Sequence, residues 1–154
     1  MGLNKGPFVV AQSFSVEDPY DVDAGAIDLN VMPQTVVATV DVCVNKPTKT
    51  QVSLDSMVQI AVMSSVRISS LPSQTFEVLI EILRNGKVLA TINDEMDYEI
   101  AGEGRHTNFP NFPLVDNNPS AGINTYDLRC TLVSGMSASV FAASRSLKAT
   151  VFTL

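Results

Sequence analysis

The sequence contains three groups of residues that could support chemistry, and the first is a single histidine. His106 lies between Gly104-Arg105 and Thr107-Asn108, a stretch typical of a surface loop. A serine or cysteine nucleophile would need this imidazole as its base, together with a carboxylate to orient it. The sequence has no nucleophile elbow. We therefore interpret His106 as a surface residue and expect no catalytic residues and no enzymatic activity.

The second group is a set of four carboxylates near the N-terminus, Asp18, Asp21, Asp23 and Asp28. Calcium prefers several clustered oxygen ligands, so these side chains deserve testing as a metal site. Their spacing lacks the third oxygen ligand of an EF-hand loop and the glutamate that ends it. We interpret them as a solvated acidic turn and predict neither a metal site nor any other cofactor.

The third group is the two cysteines, Cys43 and Cys130, each in the middle of a predicted strand. The simplest role for both is that of a small buried apolar residue. Facing strands can bring two cysteines to bonding distance, so a disulfide within or between chains remains the alternative. A reactive thiol is disfavoured, because Arg129 is the only basic residue within two positions of either cysteine.

Composition restricts the classes of partner. The 154 residues suit one domain, 17% of them are charged, and the net charge is −6. No basic run is present, which argues against nucleic acid and anionic membranes as partners. No apolar run reaches the ~20 residues of a membrane span, and the start lacks a hydrophobic signal core. A weakly charged surface repels its own copies little, so self-association is favoured.

Most of the chain alternates apolar and polar residues with period two, as β-strands do. The clearest runs are residues 36–44, 51–63 and 125–132, and in the first the even-numbered residues form the predicted core face. The final stretch to Leu154 has no helix-stop signals, and we predict that it closes the sandwich. Residues 101–124 are predicted to form a long irregular crossing. The pattern predicts an all-β fold, a jelly-roll (Greek-key) β-sandwich of about eight strands.

The N-terminal residues differ from the rest. We divide the chain into an N-terminal arm and connector, residues 1–25, and a single jelly-roll domain, residues 26–154. Phe8, Val9 and Val10 form a short apolar strand, and an acidic, turn-prone connector follows. This strand has two interpretations. It is either the first strand of the sandwich, or an arm that adds to the sheet edge of a neighbouring subunit.

A hairpin is predicted at Asn85-Gly86, because Asn-Gly between apolar runs is a strong signal for a two-residue turn. This register makes both faces of the ribbon partly apolar, whereas a sandwich buries only one face of each sheet. A second layer or another subunit would cover the other face. The predicted facing pairs are Leu83–Val88, Ile82–Leu89 and Leu79–Ile92.

The same register would place Glu77 opposite Asp94. Like charges directly across a ladder repel each other. We therefore expect a bulge, or an end to the pairing, before this point.

Four short motifs occur in the C-terminal half: LRNG at 83–86, VDNNPSAG at 115–122, TYDLR at 125–129 and SRSLKA at 144–149. With them, the chain from about residue 75 resembles bacterial spore-surface jelly rolls of the exosporium and endospore-appendage type, which have a C1q/TNF-like sandwich. The resemblance implies self-assembly into a filament or layer on the extracellular surface of a spore or cell. The lack of a cleavable signal peptide is consistent with this location.

We therefore predict a non-enzymatic structural subunit whose partners are copies of itself. Docking of an N-terminal arm and lateral sheet contacts would hold the copies together. Two alternatives remain open at this point: a discrete C1q/TNF-like oligomeric binding module, and a phage or virus coat or decoration protein. The predicted subunit contacts are Phe8, Val9, Val10, Leu79, Leu83, Val88, Ile92, Phe109, Phe112, Phe152 and Leu154.

Overall fold

The computed structural model describes residues 6–64, 74–98, 104–135 and 138–154. Within these ranges the chain forms β-strands and one 3-10 turn, Pro47–Lys49. None of the described segments is a helix that is long and apolar enough to cross a membrane. The strands are β1 (Phe8–Phe14), β2 (Ile27–Asp28), β3 (Gln34–Val44), β4 (Thr50–Ser64), β5 (Gln74–Arg84), β6 (Lys87–Tyr98), β7 (Gly104–Asn108), β8 (Asn111–Asp116), β9 (Gly122–Ser134) and β10 (Ser139–Thr153).

The strands form two antiparallel sheets that pack face to face. Sheet A has the order β1-β10-β4-β7, with β2 also paired to β10 and β8 also paired to β4. Sheet B has the order β3-β9-β5-β6. Apart from β1 to β2, the β5–β6 hairpin and β7 to β8, each connection carries the chain from one sheet to the other. This is the Greek-key connectivity of a jelly roll, so the predicted fold class is confirmed.

The core lies between the sheets and consists of the inward-facing residues of both. It explains the alternation seen in the sequence, because every second side chain of a strand points to the same face. β4 and β9 follow this rule over most of their length. The largest fully buried side chains include Leu29, Leu54, Tyr126, Ile82, Leu128 and Leu147.

One predicted core residue lies outside. The pairing of β3 with β9 shifts between Val36 and Ala38, which inserts one extra residue into β3. As a result Val37 is buried and Val36 is exposed. The prediction that Val36 belongs to the core face is therefore wrong, whereas Ala38 and the later even-numbered residues of β3 are buried as predicted.

The β5–β6 hairpin turns at the predicted residues. Asn85 has a φ of 50° and Gly86 a φ of 81°, the left-handed conformations that a two-residue turn of this kind requires. Leu83 faces Val88, as predicted.

Next to this pair the ladder slips by one residue, because Leu89 is skipped in the pairing. A bulge before the Glu77 position was expected, and the bulge lies there. Glu77 faces Glu95 rather than Asp94, so two like charges still lie opposite each other. The predicted pairs Ile82–Leu89 and Leu79–Ile92 are wrong, and Leu79 faces Asn93 instead.

The stretch 101–124 is more regular than predicted. Residues 104–108 and 111–116 form β7 and β8, which both pair with β4. Pro113 lies within β8, where its missing N–H is tolerated because β8 is an edge strand. The prediction of a long irregular crossing is therefore wrong for these two segments.

The N-terminal strand completes its own sheet. All seven residues of β1 pair with β10 of the same chain, from Phe8 opposite Val151 to Phe14 opposite Arg145. Of the two interpretations of this segment, the structure of the single chain shows the first, a strand of the sandwich.

Candidate assembly surfaces

The histidine lies at a seam between the two sheets. His106 is exposed on β7, and its Nε2 lies 2.9 Å from Asn108 Oδ1. Asn108 Nδ2 donates to Asp94 Oδ1 on β6 at 3.0 Å, which links sheet A to sheet B. Burial raises the pKa of Asp94, and the hydrogen bond from Asn108 and the charge of His106 oppose this rise. The imidazole therefore bonds to an amide that joins the sheets, and a nucleophile does not take part in this contact.

The N-terminal aspartates shape turns. Asp18, Asp21 and Asp28 each accept a hydrogen bond from the backbone N–H two residues later, at 2.8 to 3.0 Å. These are Asx turns, in which the side chain mimics a backbone turn. In the described part of the chain, no group of three or more His, Cys, Asp or Glu side chains is placed to hold a metal ion.

The cysteines lie far apart and on opposite faces of sheet B. Cys43 is exposed and pairs with Ile123, whereas Cys130 is buried and pairs with Thr35. Seven residues of β9 separate the two positions, about 23 Å at the usual rise per residue. The interpretation as a buried apolar residue is confirmed for Cys130 and wrong for Cys43. Both thiols are free, so the alternative of a disulfide within one chain is wrong. Burial raises the pKa of Cys130 to about 12, which keeps this thiol unreactive. A disulfide between chains through Cys43 stays a prediction.

The sequence analysis missed a buried polar cluster that ties β8 to sheet B. Arg84 Nη1 lies 2.6 Å from Asp116 Oδ2, and the Tyr126 hydroxyl donates to the same oxygen at 2.9 Å. Arg84 also donates to the carbonyl of Asn118 at 2.6 Å. Burial and the neighbouring carboxylate raise the pKa of Tyr126. All four residues lie in the sequence motifs at 83–86, 115–122 and 125–129. The positions of these motifs could therefore have indicated the cluster. The cluster acts as a clamp between the sheets.

The edges of the two sheets differ in their protection against further strand pairing. Along β3, Gln12 Oε1 accepts from the Thr39 N–H at 2.8 Å, and Arg145 Nε donates to the Val37 carbonyl at 2.9 Å. Edge strand β8 contains Pro113, and edge strand β6 carries acidic side chains at 94, 95 and 97. Side-chain caps, prolines and charges are devices that keep sheet edges from pairing.

β1 has none of these devices. Its sequence, FVVAQSF, contains no charged residue and no proline, and its register with β10 has no bulge. Val10 packs against the core, and the other six side chains are exposed. Among the described residues β1 forms a ladder with β10 alone, and the side chain of its Gln12 reaches Thr39 of β3. The outer edge of β1 thus has no ladder partner for its backbone donors and acceptors.

The outer face of sheet B is acidic and internally bonded. Its outward-facing described strand residues include one cation, Arg129, which bonds to Glu81 at 2.8 Å. Threonine hydroxyls donate to three more carboxylates at 2.6 to 2.7 Å. The carboxylates on this face are Asp41, Glu77, Glu81, Glu95, Asp97 and Asp127.

One half of the outer face of sheet A is covered by the chain itself. We call residues 15–26 the strap. A bond at 2.9 Å from the Val16 N–H to Ser144 Oγ fastens the start of the strap. Its Tyr20 ring meets Phe141 edge-on at 6.4 Å, and Arg105 lies 4.7 Å from the centre of the Tyr20 ring. The strap residues Val16, Tyr20 and Ala26 pack with Ala61, Phe141 and Ala143 of the sheet in a second apolar cluster.

The other half of this outer face is uncovered, and we call it the bare face. It comprises the outward-facing residues of β1 and β8, of residues 50–57 of β4 and of residues 146–153 of β10. One row across it runs Val9, Thr150, Ser53, Val115. Val9 is 54% exposed, Val115 51%, and Phe152, in the next row, 40%. The face is therefore apolar at its margins and lined by hydroxyl groups at its centre.

The bare face carries one ion pair, Lys148 with Asp55, at 3.1 Å between Nζ and Oδ2. The two residues lie opposite each other on β10 and β4. About half of each side chain is exposed, 48% and 52%. The face is thus electrically neutral, in contrast to the outer face of sheet B.

The structure divides the predicted contact residues into three groups. Leu83 is buried, and Leu79 is half-buried on the acidic face of sheet B. Val10, Ile92 and Phe112 pack against the core of their own chain. The remaining six are exposed and free to meet another molecule: Phe8, Val9, Val88, Phe109, Phe152 and Leu154.

Two of the clefts that the described residues line can be compared with an active site. A cleft of about 280 Å³ lies at one end of the sandwich, next to Cys43, Lys46 and Thr153. Another, of about 240 Å³, lies beside Asp116, whose carboxylate is already bonded to Arg84 and Tyr126.

No family model and no curated protein matches the chain. Among solved structures, the chain aligns with the dimeric latent PorU of Porphyromonas gingivalis over 96% of its length, at 11% identity and a TM-score of 0.47. It aligns with the infectious bursal disease virus Gt strain over 95%, at 17% identity and a TM-score of 0.40. It aligns with the T13 particle of that virus over 95% of its length, at 15% identity and a TM-score of 0.35. The chain spans 13%, 32% and 31% of these proteins, and likeness at this level carries no information about function.

Proposed function

We propose that this protein is a non-enzymatic structural subunit that assembles with copies of itself, and that strand β1 is the main assembly element. The observation that carries the proposal is the open edge of β1. Edge strands β3, β6 and β8 each carry a recognisable protective feature, whereas β1 is neutral, free of proline and regular. An unprotected edge pairs readily with another strand, so its presence beside the protected edges of β3, β6 and β8 favours a role in assembly.

Energetics support the same proposal. Each added backbone hydrogen bond contributes roughly 0.5 to 1.5 kcal/mol net, and a strand of seven residues provides several. The low charged fraction of the chain, 17%, keeps repulsion between copies small. Phe8 and Val9 are more than half exposed. Docking of a neighbour would remove part of their apolar surface from water, which favours association.

The location of the assembly is a further part of the proposal. The motifs at 83–86, 115–122, 125–129 and 144–149 resemble those of spore-surface jelly rolls, and we place the assembly on the outside of a bacterial spore. An antibody raised against the purified chain should label the surface of intact spores in immunogold electron microscopy. Labelling confined to the spore interior would contradict this placement.

The assembly proposal is tested with a lysine on the β1 edge. The variant Phe8→Lys places a charge on β1 at an exposed position that does not belong to the uncovered outer face of sheet A, and it should reduce the assembled mass several-fold, because a charge on an edge strand hinders pairing. The matched control is Ser120→Lys, which adds the same charge at an exposed position outside the strands. Light scattering after size exclusion, over a range of concentrations, gives the mass.

The outcomes separate the competing functions. A native chain that grows with concentration, together with loss of assembly in the β1 variant only, supports the proposal. A single mass that does not change with concentration indicates a discrete oligomer instead. A native chain that remains monomeric at all concentrations, or equal assembly of all three proteins, would overturn the role of β1.

A further inference from the structure

We propose that the bare face of sheet A is a self-complementary interface on which a second copy of the chain docks through the same face. The inference rests on the proposed function, since it identifies a lateral contact of the same assembly. The bare face includes the outward-facing side chains of β1. Lys148 and Asp55 lie on β10 and β4, however, and Phe8 lies on the other side of β1, so the two contacts are tested with different variants.

Charge favours a second copy as the occupant. Lys148 and Asp55 lie side by side on neighbouring strands, so the face carries one cation and one anion. A two-fold axis that runs along the strands between β10 and β4 would place Lys148 of one copy opposite Asp55 of the other, and the reverse. Isologous contacts require this kind of self-complementary pattern. The outer face of sheet B, with six carboxylates and Arg129, would repel a copy of itself.

The side chains at the centre of the bare face are also small enough for two sheets to meet. Its central row contains the small side chains of Ser53 and Thr150, flanked by Val9 and Val115. Neighbouring strands of one sheet lie about 4.8 Å apart, and two sheets that pack face to face lie about 10 Å apart. Short hydroxyl and valine side chains fit this separation without large gaps, and Phe152 adds an aromatic side chain at one margin.

The available area agrees with a contact of moderate strength. Four strands at about 4.8 Å spacing and four outward rows at about 6.8 Å spacing cover roughly 500 Å². Two copies would bury roughly 1,000 Å² in total, the lower limit for a specific interface. The strap blocks extension of this contact over the other half of the sheet, because Val16 and Ala26 already cover Phe141 there.

The test reverses the charges one at a time and then mixes the variants. Lys148→Glu gives a face with two anions, and Asp55→Lys gives a face with two cations. Each variant alone would place like charges across the interface twice, and we expect its dissociation constant to rise roughly tenfold. In an equimolar mixture each anionic face meets a cationic face, so association should return to at least the native level. Sedimentation velocity of each protein and of the mixture measures this.

The mixture distinguishes a contact between copies from a contact within one chain. The Lys148–Asp55 pair is broken inside each single variant, so a role confined to one chain predicts no recovery on mixing. Thermal melting of each variant shows whether the fold is intact, and the exposed position of the pair predicts that it is.

Each result is decisive. Weakened single variants and a restored mixture support the inference. If the native chain assembles and both variants assemble equally well, the bare face is not an interface between copies, while the proposed function stands. If the native chain is monomeric throughout, the proposed function fails and the inference fails with it.

Discussion

The outer faces of the two sheets are made of strands of similar length, yet one face is complete and the other is not. On sheet B, outward-facing side chains bond to each other: Arg129 to Glu81, Thr39 to Asp127 and Thr125 to Asp41. On sheet A the strap covers one half, and the other half exposes Val9 and Phe152 without a cover from the described chain. A face whose polar groups are already paired has little to gain from a partner, whereas an uncovered apolar face gains from one.

The comparison within sheet A is sharper still, because both halves include a phenylalanine of the same strand, β10. Phe141 lies under the strap and is 5% exposed, whereas Phe152 lies on the bare face. Phe141 contributes to the stability of the single chain. We infer that Phe152 contributes mainly when a second copy is present.

The largest expected effect comes from truncating these two phenylalanines. Phe141→Ala should lower the free energy of unfolding by about 3 kcal/mol, because it removes a buried ring and leaves a cavity under the strap. Phe152→Ala should change it by less than about 1 kcal/mol in the monomer and should weaken self-association instead. Urea titration at low concentration measures the first quantity, and sedimentation velocity measures the second. Equal losses of monomer stability in the two variants would contradict the distinction between covered and bare halves.

A smaller effect is expected from the ion pairs of the two faces. Arg129–Glu81 is largely buried, with 25% and 13% of the side chains exposed, whereas Lys148–Asp55 is about half exposed. Arg129→Gln should cost roughly 1 to 3 kcal/mol of monomer stability, because it leaves a shielded carboxylate without its partner. Lys148→Gln should cost less than about 0.5 kcal/mol.

Urea titration at two salt concentrations checks this pair of variants. Salt should reduce the small Lys148 effect and leave most of the Arg129 effect, because shielded pairs are screened less. A larger monomer effect at Lys148 than at Arg129 would show that the bare face is already complete within one chain.

The alternation of inward-facing and outward-facing positions along the strands predicted much of this fold and could have predicted more. Residues 36–44 and 125–132 alternate, and the structure buries the predicted faces of both over most of their length. The same alternation places Cys43 on the outer side of its strand and Cys130 on the inner side of its own. The alternative of a disulfide within one chain could therefore have been rejected from the sequence, because the two side chains leave sheet B in opposite directions.

Bulges and edges were harder to predict, for physical reasons. Val36 and Val37 are chemically identical, so no local signal shows which of them turns inward where β3 bulges. Pro113 indicates a break in a strand unless the strand is known to lie at an edge, and edge position depends on the whole topology. The strap has no periodicity, since Val16, Tyr20 and Ala26 are irregularly spaced and only the sheet beneath them brings them together.

The smallest predicted effect concerns the seam that joins the two faces. Asp94 turns inward from β6 and accepts a hydrogen bond from Asn108 of β7 at 3.0 Å. Burial raises the pKa of Asp94 above the ordinary value of 3.8. The folded chain therefore binds the carboxyl proton of Asp94 more tightly than the unfolded chain does. By linkage, the contribution of Asp94 to stability is fully present below pH 3.8 and is lost as the pH rises through the raised pKa.

It follows that the ionised Asp94 makes the folded chain less stable at neutral pH. Asp94→Asn keeps a carbonyl oxygen to accept from Asn108 and removes the buried charge, so it should stabilise the monomer at pH 7 by up to about 1 kcal/mol. The gain should shrink as the pH approaches 3.8. Asp23→Asn, which removes the same charge from an exposed turn, is the matched control and should show little change. Urea titrations between pH 3.5 and roughly pH 7.5 measure both variants. A gain that is independent of pH would show that it does not arise from removing the buried charge.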